Sequence, residues 1–166
     1  MPHESRLDRL LRELLENQRI AALGTLSDDG IPFISMTPYA LAPELGGLVI
    51  HVSALAAHTR YLRNHPRASV MVMQPEVAGE PVHALHRVTL DALAEVLETD
   101  SPHWHTARTT YLKKFPDVEF ITELPDFRFT LLRPTNARQV AGFGAARTVD
   151  AEGLRLTFAP AETRNG

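Results

Sequence analysis

The chain has 166 residues, of which 44% are hydrophobic and 22% are charged, and its formal net charge is −3. These values are typical of one globular domain with a sizeable core, and they exclude long disordered segments and a strongly basic surface for nucleic acid. Cysteine is absent, which excludes disulfides, thiolate metal ligands and thiol nucleophiles. The N-terminus lacks a signal-peptide pattern and no apolar run reaches about 18 residues, so we expect a cytoplasmic protein without a membrane partner.

The first predicted element is a helix over residues 4–17, within an N-terminal segment that we take as residues 1–18. Ser5 stands at the N-cap position, and Asp8 three residues later resembles the acidic partner of a capping box. The leucines of this helix recur at the spacing of one helical face. They are Leu7, Leu10, Leu11, Leu14 and Leu15. We expect the helix to pack on the rest of the fold as a lid or a dimer contact.

Alternating apolar residues and turn residues predict a series of short strands. The predicted strands cover 20–26, 31–41, 48–52, 68–73, 84–98, 127–132 and 137–140. Pro32 and Pro38 indicate that the second strand lies at an edge or carries a bulge. Pro134 separates the last two strands.

Two further helices interrupt these strands. One covers 54–64 and ends before Pro66, and the other covers 103–115, with Ser101 as N-cap and Pro102 just inside. Residues 117–123 form a short helical segment or a turn. A closing hairpin is predicted from 146–149 and 154–158, followed by a frayed tail over 159–166.

The order of these elements predicts the fold class. The first three strands are joined by tight turns, which requires antiparallel neighbours and excludes a doubly wound parallel sheet. We therefore expect a mainly β, α+β fold: an antiparallel split barrel over residues 19–158 with flanking helices.

The segment from Ser53 to Arg60 is a candidate anion site. A strand ends near Ser53 and a helix begins near Ala54. The unpaired backbone N–H groups and the positive end of the helix dipole are therefore expected at the start of this helix, where they can bind an anion. The hydroxyls of Ser53 and Thr59 can donate there, and His58 or Arg60 can add charge. An ordinary helix cap followed by solvated polar residues is the alternative, and these residues alone favour that alternative.

Six segments, in this order along residues 5–150, resemble the pyridoxamine-phosphate-oxidase-like split barrels, and most closely the branch related to bacterial haem-utilisation proteins. They are 24–32 (GTLSDDGIP), 52–71 (VSALAAHTRYLRNHPRASVM), 87–90 (RVTL), 111–116 (YLKKFP), 124–127 (LPDF) and 141–146 (AGFGAA). The resemblance reverses the balance at Ser53–Arg60 in favour of a phosphate site.

The resemblance implies FMN bound at the interface of a homodimer. By position, it assigns contacts with the phosphate and ribityl chain to Ser53, His58, Thr59 and Arg87. It assigns contacts along the flavin ring to Ser35, Met36 and Thr37. It leaves the catalytic residues unassigned. Two histidine pairs, His83 with His86 and His103 with His105, could bind a metal, but no matching carboxylate set accompanies them, so we expect no metal site.

The chain departs from the oxidase itself at these positions. The oxidase has an arginine where Ser35 stands and an Arg-Lys pair where Ala57 and His58 stand, and its C-terminal Arg-x-His motif has no counterpart here. We therefore expect an FMN-dependent oxidoreductase acting on a small molecule other than pyridoxamine phosphate. A flavin carrier without turnover is a further possibility.

Haem binding or haem degradation in the same dimer cleft is the main alternative. Haem-degrading relatives of this branch ligate iron through a histidine near the C-terminus, whereas the last histidine of this chain is His105. Haem ligation needs a donor such as His, Met or Tyr. On this ground the sequence favours FMN over haem.

Overall fold

The computed structural model describes residues 4–160, and its strands form one antiparallel eight-stranded sheet. The strands are β1 (Ile20–Leu26), β2 (Pro32–Pro38), β3 (Ala40–Ala42), β4 (Gly47–Ser53), β5 (Arg67–Met73), β6 (Arg87–Val96), β7 (Phe127–Val140) and β8 (Ala146–Val149). The helices are α1 (Arg6–Asn17), α2 (Ala57–Asn64), α3 (Pro102–Lys114) and α4 (Ala151–Thr157). Short 3-10 segments cover Pro43–Leu45, Val82–Ala84 and Pro116–Glu123. No helix within residues 4–160 is long and apolar enough to cross a membrane.

The sheet curls into a split barrel because the chain steps directly from one edge strand to the other. The strand order β2-β1-β5-β6-β7-β4-β3 places β2 and β3 at opposite edges, yet Tyr39 alone separates them in sequence. The two edges must therefore meet at this residue. Tyr39 is fully buried, and its hydroxyl donates to the carbonyl of Leu15 in α1 at 2.7 Å.

The inner face of the sheet holds the larger of two apolar clusters. Strand side chains such as Leu23, Val70 and Leu90 point into it, and α1 closes it with the buried face that contains Leu11 and Leu15. Each fully buried leucine contributes about 1.5–3 kcal/mol relative to an exposed one. The apolar stripe of α1 therefore holds this helix on the barrel.

The outer face of the sheet is covered over one half only. The 13-residue helix α3 packs on β4 and β7 and forms the second cluster, which includes Tyr111, Phe129 and Leu131. The other half, formed by β2, β1, β5 and β6, has exposed apolar side chains. We call it the open face, and its large apolar members are Ile20, Ile34, Met36, Met71, Met73 and Leu93.

The split-barrel prediction is confirmed, as are the two predicted helix caps. The hydroxyl oxygens of Ser5 and Ser101 accept from the backbone N–H of Asp8 and Trp104. The predicted strand over 31–41 is divided in two at Tyr39, because the chain changes edges there.

Three predicted boundaries are wrong. The helix predicted from residue 54 begins at Ala57, because the preceding residues form a turn in which the Ser53 hydroxyl oxygen accepts from the Leu55 N–H. The strands predicted on either side of Pro134 are one strand, β7, because the register shifts opposite Asp91 and Ala92 and a bulge accommodates the proline.

The predicted strand over 154–158 is also wrong, because these residues belong mainly to α4. Asp150 caps this helix by accepting from the Gly153 N–H at 2.8 Å. Leu154 and Phe158, four residues apart, lie buried on one helical face. Residues 161–166 of the predicted tail lie outside the described residues.

The Tyr39 hydrogen bond provides a test of the closure. We expect Tyr39→Phe to lower the free energy of unfolding by about 1–2 kcal/mol, because it leaves the buried Leu15 carbonyl without its donor. Tyr61→Phe is the matched control, since the Tyr61 hydroxyl bonds no residue within 4–160, and we expect a change below about 0.5 kcal/mol. Urea denaturation of both variants measures the difference, and equal effects would contradict the assigned role.

Candidate functional site

The candidate site lies where the first turn of α2 meets β2. The ring of His58 lies 2.9 Å from the hydroxyl of Ser35, measured from Nδ1 to Oγ. Ser35 pairs in register with the fully buried Leu23, so its side chain belongs to the inner side of the sheet. The structure thus brings together two predicted site residues that are 23 positions apart in the chain.

Threonine hydroxyls fix the elements around this pair. Thr59 is 4% exposed, and its hydroxyl donates to the Ser53 carbonyl at 2.6 Å, which ties α2 to the end of β4. Thr37 is also buried, and its hydroxyl donates to the Pro38 carbonyl at 3.1 Å. Both hydroxyl protons are therefore used within the protein and are not available to a ligand.

The start of α2 still offers backbone donors. Its N-cap is Ala56, which has no side chain to cap the helix. Within residues 4–160, no acceptor meets the N–H groups of Ala57 and His58. These two groups and the Ser53 hydroxyl are the donors that the turn can present to a bound group.

The site has little positive charge. Burial lowers the pKa of His58 below its ordinary value, so the imidazole is neutral at pH 7. The arginine of the segment, Arg60, is exposed: it extends over the half-buried ring of Tyr61 and faces Asp28 at 3.6 Å. The positively charged phosphate cradle of the prediction is thus replaced by a neutral Ser–His pair and backbone donors.

Two predicted site residues lie elsewhere on the molecule. Met36 is 61% exposed on the open face, because successive strand residues alternate between faces. Arg87 pairs with Met73 and Val140, and its guanidinium donates to the Leu85 carbonyl at 3.0 Å. Ser53 pairs with Phe127 at the opposite end of β7. Arg87 and Ser53 are therefore separated by about 40 Å of strand path within one copy.

His51 is a half-buried titratable group that the sequence pattern did not single out. Its ring packs against Phe127 and Phe129, with centroid distances of 5.1 and 4.3 Å, and it makes no hydrogen bond within residues 4–160. Burial lowers the pKa of His51 to about 4. Alternation along β4 places it outward, but the cover by α3 that buries it depends on tertiary packing and is invisible in the local sequence.

A curled antiparallel sheet with a short helix beside its two edges defines this chain as a split-barrel protein. The family model described as pyridoxamine 5'-phosphate oxidase matches residues 7–141, so the chain belongs to that family. The resemblance inferred from the six sequence segments is thereby confirmed.

Relatives with haem in their names are similar to most of the chain. Haem oxygenase HutZ of Vibrio cholerae is 28% identical over 152 residues, which cover 91% of this chain and 85% of HutZ. Haem oxygenase HOZ of Arabidopsis thaliana is 30% identical over 153 residues, covering 87% of this chain and 44% of HOZ. A haem-binding protein from Mycobacterium smegmatis superimposes with a TM-score of 0.81 at 29% identity, covering 91% of this chain and 60% of that protein. The chain thus spans about half of HOZ and under two thirds of the mycobacterial protein.

The neutral state of His58 is directly measurable. We expect its ring to titrate below 6.5 in nuclear magnetic resonance spectra of the folded protein, because burial disfavours the imidazolium. The unfolded state then binds more protons, so this histidine leaves stability unchanged above about pH 6.5 and lowers it as the pH falls further. Between pH 7.5 and 5.5, the free energy of unfolding measured by denaturation should fall less for His58→Gln than for the wild type. A ring pKa at or above 6.5 would contradict the neutral site.

Proposed function

We propose that this chain binds haem and takes part in haem utilisation, with haem degradation as the candidate reaction. The observation that carries the proposal is the similarity of more than four fifths of the chain to two haem oxygenases. A haem-binding protein of known structure at 29% identity supports it. These findings support haem rather than FMN as the first candidate. The sequence pattern alone had favoured FMN.

The donor set at the α2 start fits a haem group. A metal-bound histidine uses one ring nitrogen for the metal and donates its other N–H to a fixed partner. His58 has such a partner in Ser35, and its Nε2 meets no acceptor or donor within residues 4–160. Ser35 would therefore orient the imidazole, while Thr59 holds the helix turn in place. A haem bound there supplies the iron and oxygen redox chemistry.

FMN is the second candidate, and the free N–H groups of Ala57 and His58 favour it. A helix start of this kind binds phosphate through backbone donors and the dipole. A phosphate monoester carries a charge between about −1.5 and −2 at pH 7, and the neutral Ser35–His58 pair does not balance it. We therefore expect FMN to bind more weakly than haem.

We further propose that the cofactor lies between two copies of the chain. The open face presents Ile34, Met36 and Met71 to solvent, and monomeric proteins rarely expose contiguous apolar patches of large size. Arg87 lies on this face at the start of β6, where it pairs with one end of β7, whereas Ser53 at the end of β4 pairs with the other end. A second copy packed on the open face is the arrangement that would let Arg87 of one protomer approach a cofactor held by His58 of the other.

Haem titration tests the proposed function. We expect the purified chain to give a shifted Soret band at one haem per protomer, and His58→Ala to weaken haem binding by about tenfold or more, because the iron loses its ligand. His65→Ala is the matched control, since His65 is an exposed histidine at the end of the same helix. Loss of the Soret band after addition of ascorbate and oxygen would identify degradation.

Two outcomes of this titration would contradict the proposal. One is no spectral change with haem together with tight binding of added FMN, which would favour the flavin assignment. The other is equal haem affinity for the His58→Ala, His65→Ala and wild-type proteins, which would remove His58 from the site.

The dimer is tested by a charge placed on the open face. We expect Ile34→Glu to halve the mass measured by light scattering, because a carboxylate buried in an apolar interface without a partner costs several kcal/mol. Phe120→Glu is the control, since Phe120 is equally exposed but lies on the 3-10 segment away from the open face. A wild-type chain that is monomeric at micromolar concentration would refute the proposal.

A further inference from the structure

Gln139 lies on the inner side of β7 and is completely buried. Its amide meets three partners from three other parts of the fold. The Nε2 atom donates to the Leu7 carbonyl of α1 at 3.1 Å, and Oε1 accepts from Nε of Arg147 in β8 at 2.7 Å. The third partner is Nε2 of His86, just before β6, at 3.1 Å from the amide nitrogen. Gln139 therefore joins α1 to the barrel.

The first two partners fix the orientation of this amide. A rotation of the amide by 180° would place Oε1 against the Leu7 carbonyl and the NH2 group against the Arg147 guanidinium, so that both contacts would become repulsive. The NH2 group must therefore face His86 as well. Nε2 of His86 has to accept a hydrogen bond, which requires the neutral ring with its proton on Nδ1.

The backbone of His86 is also held in place. Its N–H donates to the side-chain oxygen of Gln74 at 2.8 Å, and its carbonyl accepts from the Gln74 N–H at 2.9 Å. If the ring swings out to solvent, Gln139 keeps a buried N–H without an acceptor, which is unfavourable. Water can reach that N–H only if one of the covering elements moves.

The charged groups around His86 lie on α1, β8 and its own segment. Asp8 of α1 and Arg147 of β8 form an ion pair at 2.7 Å behind the Gln139 amide. Burial alone would raise the pKa of Asp8, but the hydrogen bonds from Ser5 and Arg147 and the charge of Arg147 lower it, so Asp8 stays ionised at mildly acidic pH. On the His86 side, His83 lies three residues away, and the Arg87 guanidinium turns to the Leu85 carbonyl. Of these groups, His86 is the one that makes a hydrogen bond to the Gln139 amide through an imidazole nitrogen.

We infer that His86 and Gln139 form an acid-sensitive joint that docks the start of α1 on the barrel. When His86 takes up a proton, its Nε2–H faces the amide N–H of Gln139, and the amide cannot rotate to accept it. The first turn of α1 then lifts, because Leu7 and Asp8 belong to the element that covers Gln139. This joint is separate from the His58 site and does not depend on the identity of the cofactor.

The sign of the pH effect follows from the buried state. Burial lowers the pKa of His86 in the docked form, whereas an opened form exposes the ring and restores a value near 6.5. Opening is therefore independent of pH above about 6.5. Below that pH, the open population rises by up to about tenfold per pH unit until the docked form is itself protonated.

Hydrogen exchange of the full-length, ligand-free protein tests the joint. At pH 7.5, 6.5 and 5.5, with rates corrected for the intrinsic pH dependence, we expect protection of the amides of Arg9 to Arg12 to fall by about fivefold or more at pH 5.5. In His86→Gln the side-chain oxygen can accept from Gln139 at every pH, so protection should not change. His83→Gln is the matched control and should behave as the wild type.

Histidine tautomers measured by nitrogen-15 spectroscopy on the wild type give a second, independent test. The proton of neutral His86 is expected on Nδ1. A proton on Nε2 would overturn the inference, and so would equal pH dependence of α1 protection in the wild type and His86→Gln. If His86→Gln does not fold, the tautomer and the pH dependence of the wild type still decide the question.

Discussion

The constraint on which the structure depends is the closure at Tyr39. One residue joins the two edge strands, so the sheet has to curl until these edges meet. The buried ring and hydroxyl of Tyr39 then organise the helices: the hydroxyl bonds α1, and the Lys114 ammonium at the end of α3 lies 4.4 Å from the ring centroid and donates to the Gln18 carbonyl after α1. Burial and the charge of Arg19 lower the pKa of Lys114 to about 8, which shows how closely this corner is packed.

The predicted site residues of β2 are divided between two surfaces. Side chains of a strand alternate between faces, so Ser35 and Thr37 belong to the inner side and Met36 to the open face. Ser35 with His58 lies on the inner side, where Thr37 is already bonded to the Pro38 carbonyl, whereas the open face carries exposed apolar side chains. A cofactor that uses both sets has to lie at the rim of the barrel, where the two surfaces meet.

Local patterns predicted what depends on local physics. Each of these patterns involves residues that are neighbours in sequence. The Ser5 and Ser101 caps each bond a residue three positions on, and strand alternation and the family motifs are equally local. The predicted start of α2 was wrong because Ser53 has the side chain of a helix cap, but its hydroxyl oxygen accepts from Leu55 in the turn that precedes α2. Leu154 and Phe158 fit a strand or a helix, and the Asp150 cap decides for the helix. Other features depend on strand register across many residues, which a single sequence does not reveal. They are the Ser35–His58 contact, the separation of Arg87 from Ser53, and the Gln139 joint.

The low proton affinity of His58 has opposite consequences for the two candidate cofactors. A phosphate group needs a cation, and a histidine whose burial disfavours the imidazolium is a poor one. Iron needs the unprotonated nitrogen, and a ring that is already neutral at pH 7 loses no affinity to competition from protons. If this helix start is the cofactor site that we propose, burial of His58 beside the uncharged Ser35 favours a metal-centred ligand over a phosphate ester there.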